Sequence, residues 1–316
     1  MSDPRLLVLG AGSSGARHAR NLVALGAKVA AMDTDPRRAG ELAGAEAIPF
    51  DLDRLDGFDG VVIATPTALH REQALAALAA GATVLVEKPL AASEEGLDDL
   101  VRASEDRLMV GYNLRLHRPV ERLRELLLAG RAGRVIHVRA WFGSYLPDWR
   151  PGADYRTTYS AQAAAGGGVL RDASHELDLL GWLFGPEWEV EGAVTARRSR
   201  LELDVEDVVV AVLRSADGIP ALLSLDYVSR RYRRGLEVVG EDATLRLDWA
   251  RGALEVDDPS GVAVESAGED VEDSYRREAS AFLDLVAGRD GPLVSAAEGA
   301  VTVRLIARIE EAARPR

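Results

Sequence analysis

The chain has no cysteine among its 316 residues. Disulfide bonds, thiolate metal sites and thiol nucleophiles are therefore excluded. A chain without disulfides is compatible with a reducing compartment, and we expect a cytoplasmic protein.

Long apolar runs and an excess of positive charge are missing as well. No uninterrupted apolar run reaches the roughly 20 residues of a membrane-spanning helix. The first residues lack the basic-then-apolar profile of a secretory signal. The formal net charge is −13. Because such a protein is poorly suited to bind nucleic acid or an anionic membrane surface, we expect neither partner.

Lysine is almost absent, since 36 of the 38 basic residues are arginine and only Lys28 and Lys88 are lysine. Lys88 directly follows the strand-like run Val84–Glu87 and precedes a proline. A partly buried lysine can exchange a proton near neutral pH, which arginine cannot. Open α/β sheets bind their ligands at the carboxyl ends of strands, so Lys88 is a candidate catalytic residue. The alternative is a surface lysine without a role, which is how we interpret Lys28.

Strands and helices alternate over the first part of the chain. Short apolar runs at residues 5–9, 28–32, 60–64 and 84–86 are separated by helical patterns. This alternation predicts βαβ units around a parallel sheet.

The second part of the chain has a different pattern. A long aromatic loop precedes a single predicted helix from about Val169 to Phe184. Successive strands over 187–256 without intervening helices predict an antiparallel sheet, and two terminal helices follow. The predicted fold class is α/β, with an N-terminal doubly wound parallel sheet and a C-terminal α+β domain on a large, mostly antiparallel open sheet. We assign residues 1–118 to nucleotide binding and 119–316 to substrate binding, and leave open whether the terminal helices pack back on the first domain.

A glycine-rich loop connects the first predicted strand to the first helix, and Asp33 follows the second strand, 18 positions after Gly15. This is the fingerprint of a dinucleotide site, in which glycines let the backbone approach a pyrophosphate at a helix N-terminus. A carboxylate at Asp33 would bind the adenosine ribose and repel a 2′-phosphate, which favours NAD over NADP. Two arginines follow shortly after in the sequence, Arg37 and Arg38, so NADP remains an alternative cofactor. The expected cofactor contacts of the loop are Gly10, Gly12, Ser13, Ser14 and Gly15.

The corner Thr65–Pro66 follows a buried strand at the same edge of the sheet and is a second expected cofactor contact. The alternative is an ordinary strand-to-helix turn. His70 lies in the first turn of the next helix, and we include it with the cofactor contacts but rank it below Lys88.

A third group of polar residues follows the run Gly166–Gly168. Asp172, His175 and Asp178 are three positions apart and lie on neighbouring faces of the predicted helix. A histidine beside carboxylates can relay a proton, and the glycines would let a substrate approach the backbone. No second histidine stands at ligand spacing, so no metal is expected. A structural role for these residues is the alternative.

The loop from Tyr145 to Tyr159 combines aromatic side chains with arginine and aspartate. Aromatic faces and bidentate donors suit a sugar ring and an anionic group. The same composition suits a contact between subunits, and both interpretations stay open. The expected substrate contacts in this loop are Tyr145, Trp149, Arg150, Tyr155 and Arg156.

Taken together, these residues resemble the Gfo/Idh/MocA family, the glucose–fructose oxidoreductase and inositol dehydrogenase group. The resemblance covers most of the chain and rests on Gly10–Gly15, Asp33, Ala64–Pro66 with His70, Glu87-Lys88-Pro89, Gly111–Arg115 and Gly166–Asp178. It implies a Rossmann domain and a C-terminal open sheet that often forms the oligomer interface. It also implies NAD(P)-dependent oxidation or reduction at the carbinol of a sugar or cyclitol.

The family resemblance assigns roles to individual residues. In the family, the lysine of Glu-Lys-Pro contacts the reacting hydroxyl and the cofactor, and a downstream aspartate and histidine complete the catalytic group. By this match, the expected catalytic residues are Lys88, Asp172 and His175. The same three residues are also expected to contact the substrate. The match adds Glu87 as a cofactor contact, and Asn113 and Arg115 as substrate contacts. The usual family pattern is Asp-x-Gly-x-His-x-x-Asp, whereas His175 follows Asp172 by three positions, so Asp172 matches the family less well than His175.

The expected function is NAD-dependent hydride transfer between the nicotinamide and a carbinol carbon of a sugar, cyclitol or sugar derivative. One alternative keeps NAD but uses transient oxidation for elimination or epimerisation of a sugar. Another is a nucleotide-binding sensor without catalysis. The expected assembly is a homo-oligomer, either a dimer or a tetramer.

Overall fold

The computed structural model describes residues 3–249, 251–266, 270–291 and 293–314. The chain forms two compact units, and each unit is assembled from two stretches of sequence. The first unit contains Met1–Asn113 and Glu272–Val303, and the second contains Leu114–Val271 and Arg304–Arg316.

The described part of the first unit is built on a six-stranded parallel sheet. Its strands are β1 (Arg5–Leu9), β2 (Lys28–Met32), β3 (Ala45–Ala47), β4 (Gly60–Ile63), β5 (Thr83–Glu87) and β6 (Leu108–Gly111). The spatial order is β3-β2-β1-β4-β5-β6. The order reverses between β1 and β4, and doubly wound sheets bind ligands beyond the carboxyl ends of the strands at such a point.

The described part of the second unit is built on an eight-stranded sheet. Its strands are β7 (Val135–Gly143), β8 (Trp188–Ala196), β9 (Val208–Ser215), β10 (Pro220–Asp226), β11 (Arg233–Gly240), β12 (Thr244–Asp248), β13 (Ala253–Asp258) and β14 (Gly261–Ser266). The spatial order is β14-β13-β12-β11-β7-β10-β9-β8, and β7 and β10 run parallel while the other neighbours are antiparallel. The predicted fold class is thereby confirmed.

The helices in chain order are α1 (Ser13–Ala24), α2 (Pro36–Gly40), α3 (His70–Ala79), α4 (Leu97–Ser104), α5 (Arg118–Leu128), α6 (Val169–Asp172), α7 (Ser174–Phe184), α8 (Val271–Val286) and α9 (Ala296–Ala312). The loop between β7 and α6 contains four short 3₁₀ turns. No helix in the described part of the chain is long and apolar enough to cross a membrane.

One predicted element is wrong, because the helix expected over Val169–Phe184 is divided into α6 and α7. They meet at Ala173, whose φ of −96° and ψ of 30° leave the helical region. Bonds to remote segments hold the residues just before this break. Arg171 pairs with α9, and Asp172 accepts a hydrogen bond from Tyr227. Such tertiary contacts override the helix propensity of the local sequence.

Both faces of the first sheet are covered. Leu7 and Leu9 of β1 pack in one core with α3, α4 and the beginning of α9. Leu6 and Val8 point the other way and pack with α1 and α8. This alternation follows the period of two residues along a strand. The two cores fix the loops at the carboxyl ends of the strands.

The second sheet packs its helices against one face. Val209, Ala211 and Leu213 of β9 lie in a core with residues of α5, α7 and the end of α9. Between them, Val210 and Val212 are 42% and 43% exposed. The opposite face therefore presents apolar side chains at the surface.

Candidate functional site

The glycine loop lies at the carboxyl end of β1, where the sheet order reverses. Gly10 has a φ of +89°, and a Cβ there would lie 2.6 Å from the carbonyl oxygen of Ala64, which follows β4. A Cβ on Gly15 would lie 1.8 Å from the carbonyl oxygen of Gly10. Any side chain at either position would therefore disrupt the loop. In contrast, a Cβ on Gly12 would meet nothing within 4 Å, so the backbone is open on this side.

Helix α1 starts directly after this open backbone. Its N-cap residue is Gly12, and no side chain caps the first turn. The amide groups of that turn are thus available to a ligand, and the helix dipole favours an anion. The open backbone and the uncapped helix fit the pyrophosphate of a dinucleotide.

Asp33 directly follows β2 and is 9% exposed. Its Oδ2 accepts a hydrogen bond of 2.7 Å from the amide of Ala11, and its Oδ1 accepts one of 2.8 Å from the amide of Asp35. Asp33 therefore holds the glycine loop, and its contact with a ribose stays a prediction. The guanidinium of Arg37 binds the Asp35 carboxylate through two bonds of 3.1 Å, so Arg37 is engaged within the protein.

His70 joins the turns that follow β4 and β5. Its Nδ1 lies 2.8 Å from the carbonyl oxygen of Pro89, and its Nε2 lies 2.9 Å from that of Thr65. Thr65 also donates a 2.6 Å hydrogen bond to Gln73. The ring of His70 is 1% exposed, which gives it a structural position between two loops. Its predicted contact with the cofactor, like that of Thr65–Pro66, stays a prediction.

Lys88 follows β5 and is half-buried, and the Lys88–Pro89 bond is cis. The Glu87 side chain accepts a 3.2 Å hydrogen bond from the Lys88 amide, and its Oε1 is hydrogen-bonded to Nε2 of His18 on α1 at 2.9 Å. Burial raises the pKa of Glu87, but the bond from His18 and the charge of Lys88 outweigh it and leave the pKa below its usual range. Glu87 is therefore a carboxylate that anchors the backbone of Lys88 to α1.

Glu278 on α8 is a buried acid that the sequence did not indicate. It is 1% exposed, and its carboxyl oxygens have no hydrogen-bond partner among the described residues. Burial and the negative charge of Glu87 raise its pKa well above the usual range, and Arg17 opposes them only partly. Glu278 therefore holds its proton more tightly in the fold than an exposed glutamate does.

Asp172 in the second unit is held by a tyrosine hydroxyl. It is 7% exposed and accepts a 2.6 Å hydrogen bond from the hydroxyl of Tyr227. The charge of Asp172 also acts on the hydroxyl of Tyr159. Burial and the Asp172 carboxylate raise the pKa of both Tyr227 and Tyr159 well above the usual range, so both hydroxyls keep their protons. Tyr227 was not predicted as a partner of Asp172, because no local pattern connects the two residues.

Asp178 forms an ion pair with Arg115. Its oxygens accept hydrogen bonds of 3.0 and 2.7 Å from the guanidinium of Arg115, and both side chains are buried. His175 is 5% exposed and lies in the first turn of α7. Asn113 is also buried and donates a 2.8 Å hydrogen bond to Ser274. Both Arg115 and Asn113 were predicted to contact the substrate. In the structure, their side chains are already hydrogen-bonded to other residues of the protein.

The loop Tyr145–Tyr159 divides into two parts. Arg156 binds Asp154 and Glu202, and the amide of Glu202 donates to the hydroxyl of Tyr155. The bond to Asp154 raises the pKa of Arg156 further. These contacts attach one end of the loop to the segment before β9.

The other part of the loop packs against Tyr227, which donates a hydrogen bond to Asp172. Trp149 donates a 2.9 Å hydrogen bond to Ser144, and its ring lies edge-on to Tyr227 with centroids 5.4 Å apart. Trp149 and Arg150 are half-buried. Among the described residues, no group of three or more histidines, aspartates or glutamates is arranged to hold a metal ion.

The fold and the glycine loop define a dinucleotide-binding protein with a second domain on an open sheet. Comparison with known families agrees: residues 5–112 match the oxidoreductase family with an NAD-binding Rossmann fold, and residues 120–246 match the GFO/IDH/MocA C-terminal domain. The chain belongs to the Gfo/Idh/MocA family of oxidoreductases, as its sequence motifs suggested. It is an NAD-binding oxidoreductase, and the predictions of family, enzyme class and cofactor are confirmed.

The chain is similar to two inositol 2-dehydrogenases. It is 30% identical to inositol 2-dehydrogenase 2 of Paenarthrobacter aurescens, over 96% of this chain and 94% of the relative. It is 33% identical to inositol 2-dehydrogenase 2 of Saccharopolyspora erythraea, over 74% of this chain and 69% of the relative. Among solved structures, GenD2 from gentamicin A biosynthesis in complex with NAD is 26% identical, with a TM-score of 0.85 over 99% of this chain and 95% of that one.

Proposed function

We propose that the chain is an NAD-dependent dehydrogenase that acts at a carbinol carbon of a sugar, cyclitol or sugar derivative. The observation that carries this proposal is the anchored lysine: Lys88 lies at the carboxyl end of β5, and Glu87 ties its amide to α1. The names of the similar dehydrogenases support the substrate class. Bound NAD would supply the redox chemistry by accepting or giving a hydride.

The residues of this chain would bind the cofactor and handle the proton. Gly12 and the first turn of α1 would hold the pyrophosphate, and Asp33 would bind the ribose. We propose that the Lys88 ammonium polarises the carbinol oxygen and stabilises negative charge that develops on it. His175 takes the hydroxyl proton in oxidation and returns it in reduction. Asp172, which accepts the hydrogen bond from Tyr227, would orient the reacting group.

A homo-oligomer and a cytoplasmic location complete the proposal. The exposed face of the second sheet carries Val194, Val210, Val212 and Leu222, which are 61%, 42%, 43% and 47% exposed. Val194 pairs with Val210, and Val212 pairs with Leu222, on neighbouring strands. Such a contiguous apolar patch suits a subunit interface. Light scattering would test this interface. The double variant Val212→Lys, Leu222→Lys should have a lower molar mass in solution than the wild-type protein.

The proposed reaction is tested by NADH formation from NAD with a panel of sugars, cyclitols, sugar acids and sugar phosphates. A signal from one class supports dehydrogenation and identifies the substrate group. Turnover without net NADH and with tightly retained cofactor would favour transient oxidation. Binding of NADH without turnover of any compound would favour a sensor. Faster turnover with NADP than with NAD would contradict the role of Asp33.

A further inference from the structure

His18 on α1 is a buried histidine that the sequence patterns did not single out. It is 1% exposed, and its Nε2 lies 2.9 Å from Oε1 of Glu87 at the end of β5. Because a carboxylate accepts hydrogen bonds but cannot donate them, Nε2 carries the proton of this bond. Nδ1 has no hydrogen-bond partner in the described part of the chain. The bond to Glu87 is therefore the one hydrogen bond that the ring makes within this part of the chain.

The two carboxylate oxygens of Glu87 have different partners. Oε1 accepts the bond from His18, and Oε2 accepts a 3.2 Å hydrogen bond from the amide of Lys88. Among the residues that the structure describes, no other side chain is hydrogen-bonded to Glu87. The position of Glu87, and with it the position of the Lys88 backbone, therefore depends on the donor that α1 supplies.

The helix that carries His18 also carries the expected pyrophosphate site. Helix α1 begins at Ser13, directly after its N-cap Gly12, and no side chain caps its first turn. His18 lies in the second turn of this helix. Backbone hydrogen bonds connect successive turns of an α-helix, so neighbouring turns keep their relative positions. A dinucleotide that fixes the first turn of α1 would therefore also fix His18.

These contacts form a continuous connection from the first turn of α1 through His18 and Glu87 to Lys88. We propose that His18 is a positioning residue, which acts through Glu87 and couples occupancy of the pyrophosphate site to the placement of Lys88. This inference rests on the proposed function, because it uses the role that is given there to Lys88.

The first test observes Lys88 directly and needs no turnover. The chain has two lysines, so protein made with lysine labelled with ¹³C at Cε gives two side-chain signals in a proton–carbon NMR spectrum. Lys28, whose side chain is 70% exposed, provides the internal reference. Replacement of His18 should change the Lys88 signal of the free protein and leave that of Lys28 unchanged. NADH should change the Lys88 signal of the wild type, and this change should be smaller where the connection is broken.

Two amide variants of His18 form a matched pair. In His18→Gln, the amide N–H can occupy nearly the position of Nε2 and donate to Glu87, whereas the side chain of His18→Asn is one methylene group shorter. The glutamine variant should therefore resemble the wild type, and the asparagine variant should show the changed Lys88 signal. His18→Leu removes the donor altogether and is the second variant, for use where His18→Asn does not fold.

Asn21→Leu controls for altered packing of the helix. Asn21 lies one turn further along α1, is buried, and its amide nitrogen has no hydrogen-bond partner among the described residues. This substitution changes α1 without removing the bond to Glu87, so the Lys88 signal should stay as in the wild type. Urea unfolding of every variant shows whether it folds.

The second test separates catalysis from binding. His18→Asn should lower kcat for NADH formation about tenfold or more, because a small misplacement of a group that acts on the reacting atoms is costly. The KM for the substrate should change less, and His18→Gln should restore most of the loss in kcat.

The proposal is overturned if folded His18→Asn and His18→Leu give the same Lys88 signal as the wild type, or if Asn21→Leu changes that signal as much as they do. NADH formation by the wild type, with a Lys88 signal that does not depend on His18, would remove the positioning role and keep the dehydrogenase. A Lys88 signal that depends on His18, without NADH formation from any compound, would keep the coupling and contradict the proposed reaction.

Discussion

Replacement of Glu278 by glutamine should stabilise the protein, and more so as the pH rises. The Glu278 carboxyl is buried on α8 and has a raised pKa. The groups that act on it are Glu87 at the end of β5 and Arg17 on α1, and Glu87 in turn is paired with His18. Because the folded protein keeps a proton that the unfolded chain releases, stability falls as the pH rises above the ordinary value of 4.5.

The size of the effect follows from proton linkage. Each pH unit between the unfolded and the folded pKa lowers the free energy of unfolding by up to about 1.4 kcal/mol. Glutamine has the shape of the neutral acid but cannot ionise. The difference in free energy of unfolding between Glu278→Gln and the wild type should therefore grow with pH by up to about this amount per unit. The contributions of all other titratable groups are the same in both proteins and cancel in the difference.

Urea unfolding of both proteins at a series of pH values from 5 upward measures this difference. Glu311→Gln, which changes an exposed glutamate on α9, is the control and should show no pH-dependent difference. A constant difference between wild type and Glu278→Gln at all pH values would refute the reasoning, since it would mean that Glu278 ionises equally easily in the folded and unfolded states.

Three further substitutions test the site. Asp178→Asn should lower the free energy of unfolding by about 3–5 kcal/mol in urea, because it leaves the buried Arg115 without its charged partner. Tyr227→Phe should lower it by about 1.5–3 kcal/mol, since Asp172 loses a hydrogen bond to a charged group, and it should also lower kcat. Asp33→Asn should raise the NADP-to-NAD ratio of kcat/KM at least about tenfold, because removal of the carboxylate charge relieves repulsion of a 2′-phosphate.

Each of these outcomes has a counterpart that would contradict it. Wild-type stability of Asp178→Asn would show that the ion pair contributes little. An unchanged kcat in Tyr227→Phe would separate Asp172 from catalysis. An unchanged cofactor ratio in Asp33→Asn would limit Asp33 to holding the glycine loop.

The parts that were predictable from sequence are those that follow a local pattern. The aliphatic strands, the glycine loop and Asp33 are adjacent in sequence to the elements they serve, so spacing alone indicated the nucleotide-binding fold. The Glu-Lys-Pro signature around Lys88 indicated the family for the same reason. The assignment of 1–118 and 119–316 to nucleotide and substrate binding remains a functional prediction.

The rest depends on contacts between remote segments. Tyr227 and Asp172 are 55 positions apart, and Glu278 reaches the neighbourhood of Glu87 because α8 packs on the first sheet. The insertion of β7 between β10 and β11 is equally non-local. Periodicity cannot reveal such pairs, and it also suggested one helix where tertiary bonds produce the break at Ala173.

The measurement that tests the central claim most directly compares the only two lysines of the chain. Lys88→Met should lower NADH formation about a hundredfold or more, because the group that stabilises charge on the carbinol oxygen is lost. NADH binding, followed by fluorescence, should persist. Lys28→Met is the matched control, since the Lys28 side chain is 70% exposed, and it should retain wild-type turnover. Turnover of Lys88→Met within a few-fold of wild type would contradict the account.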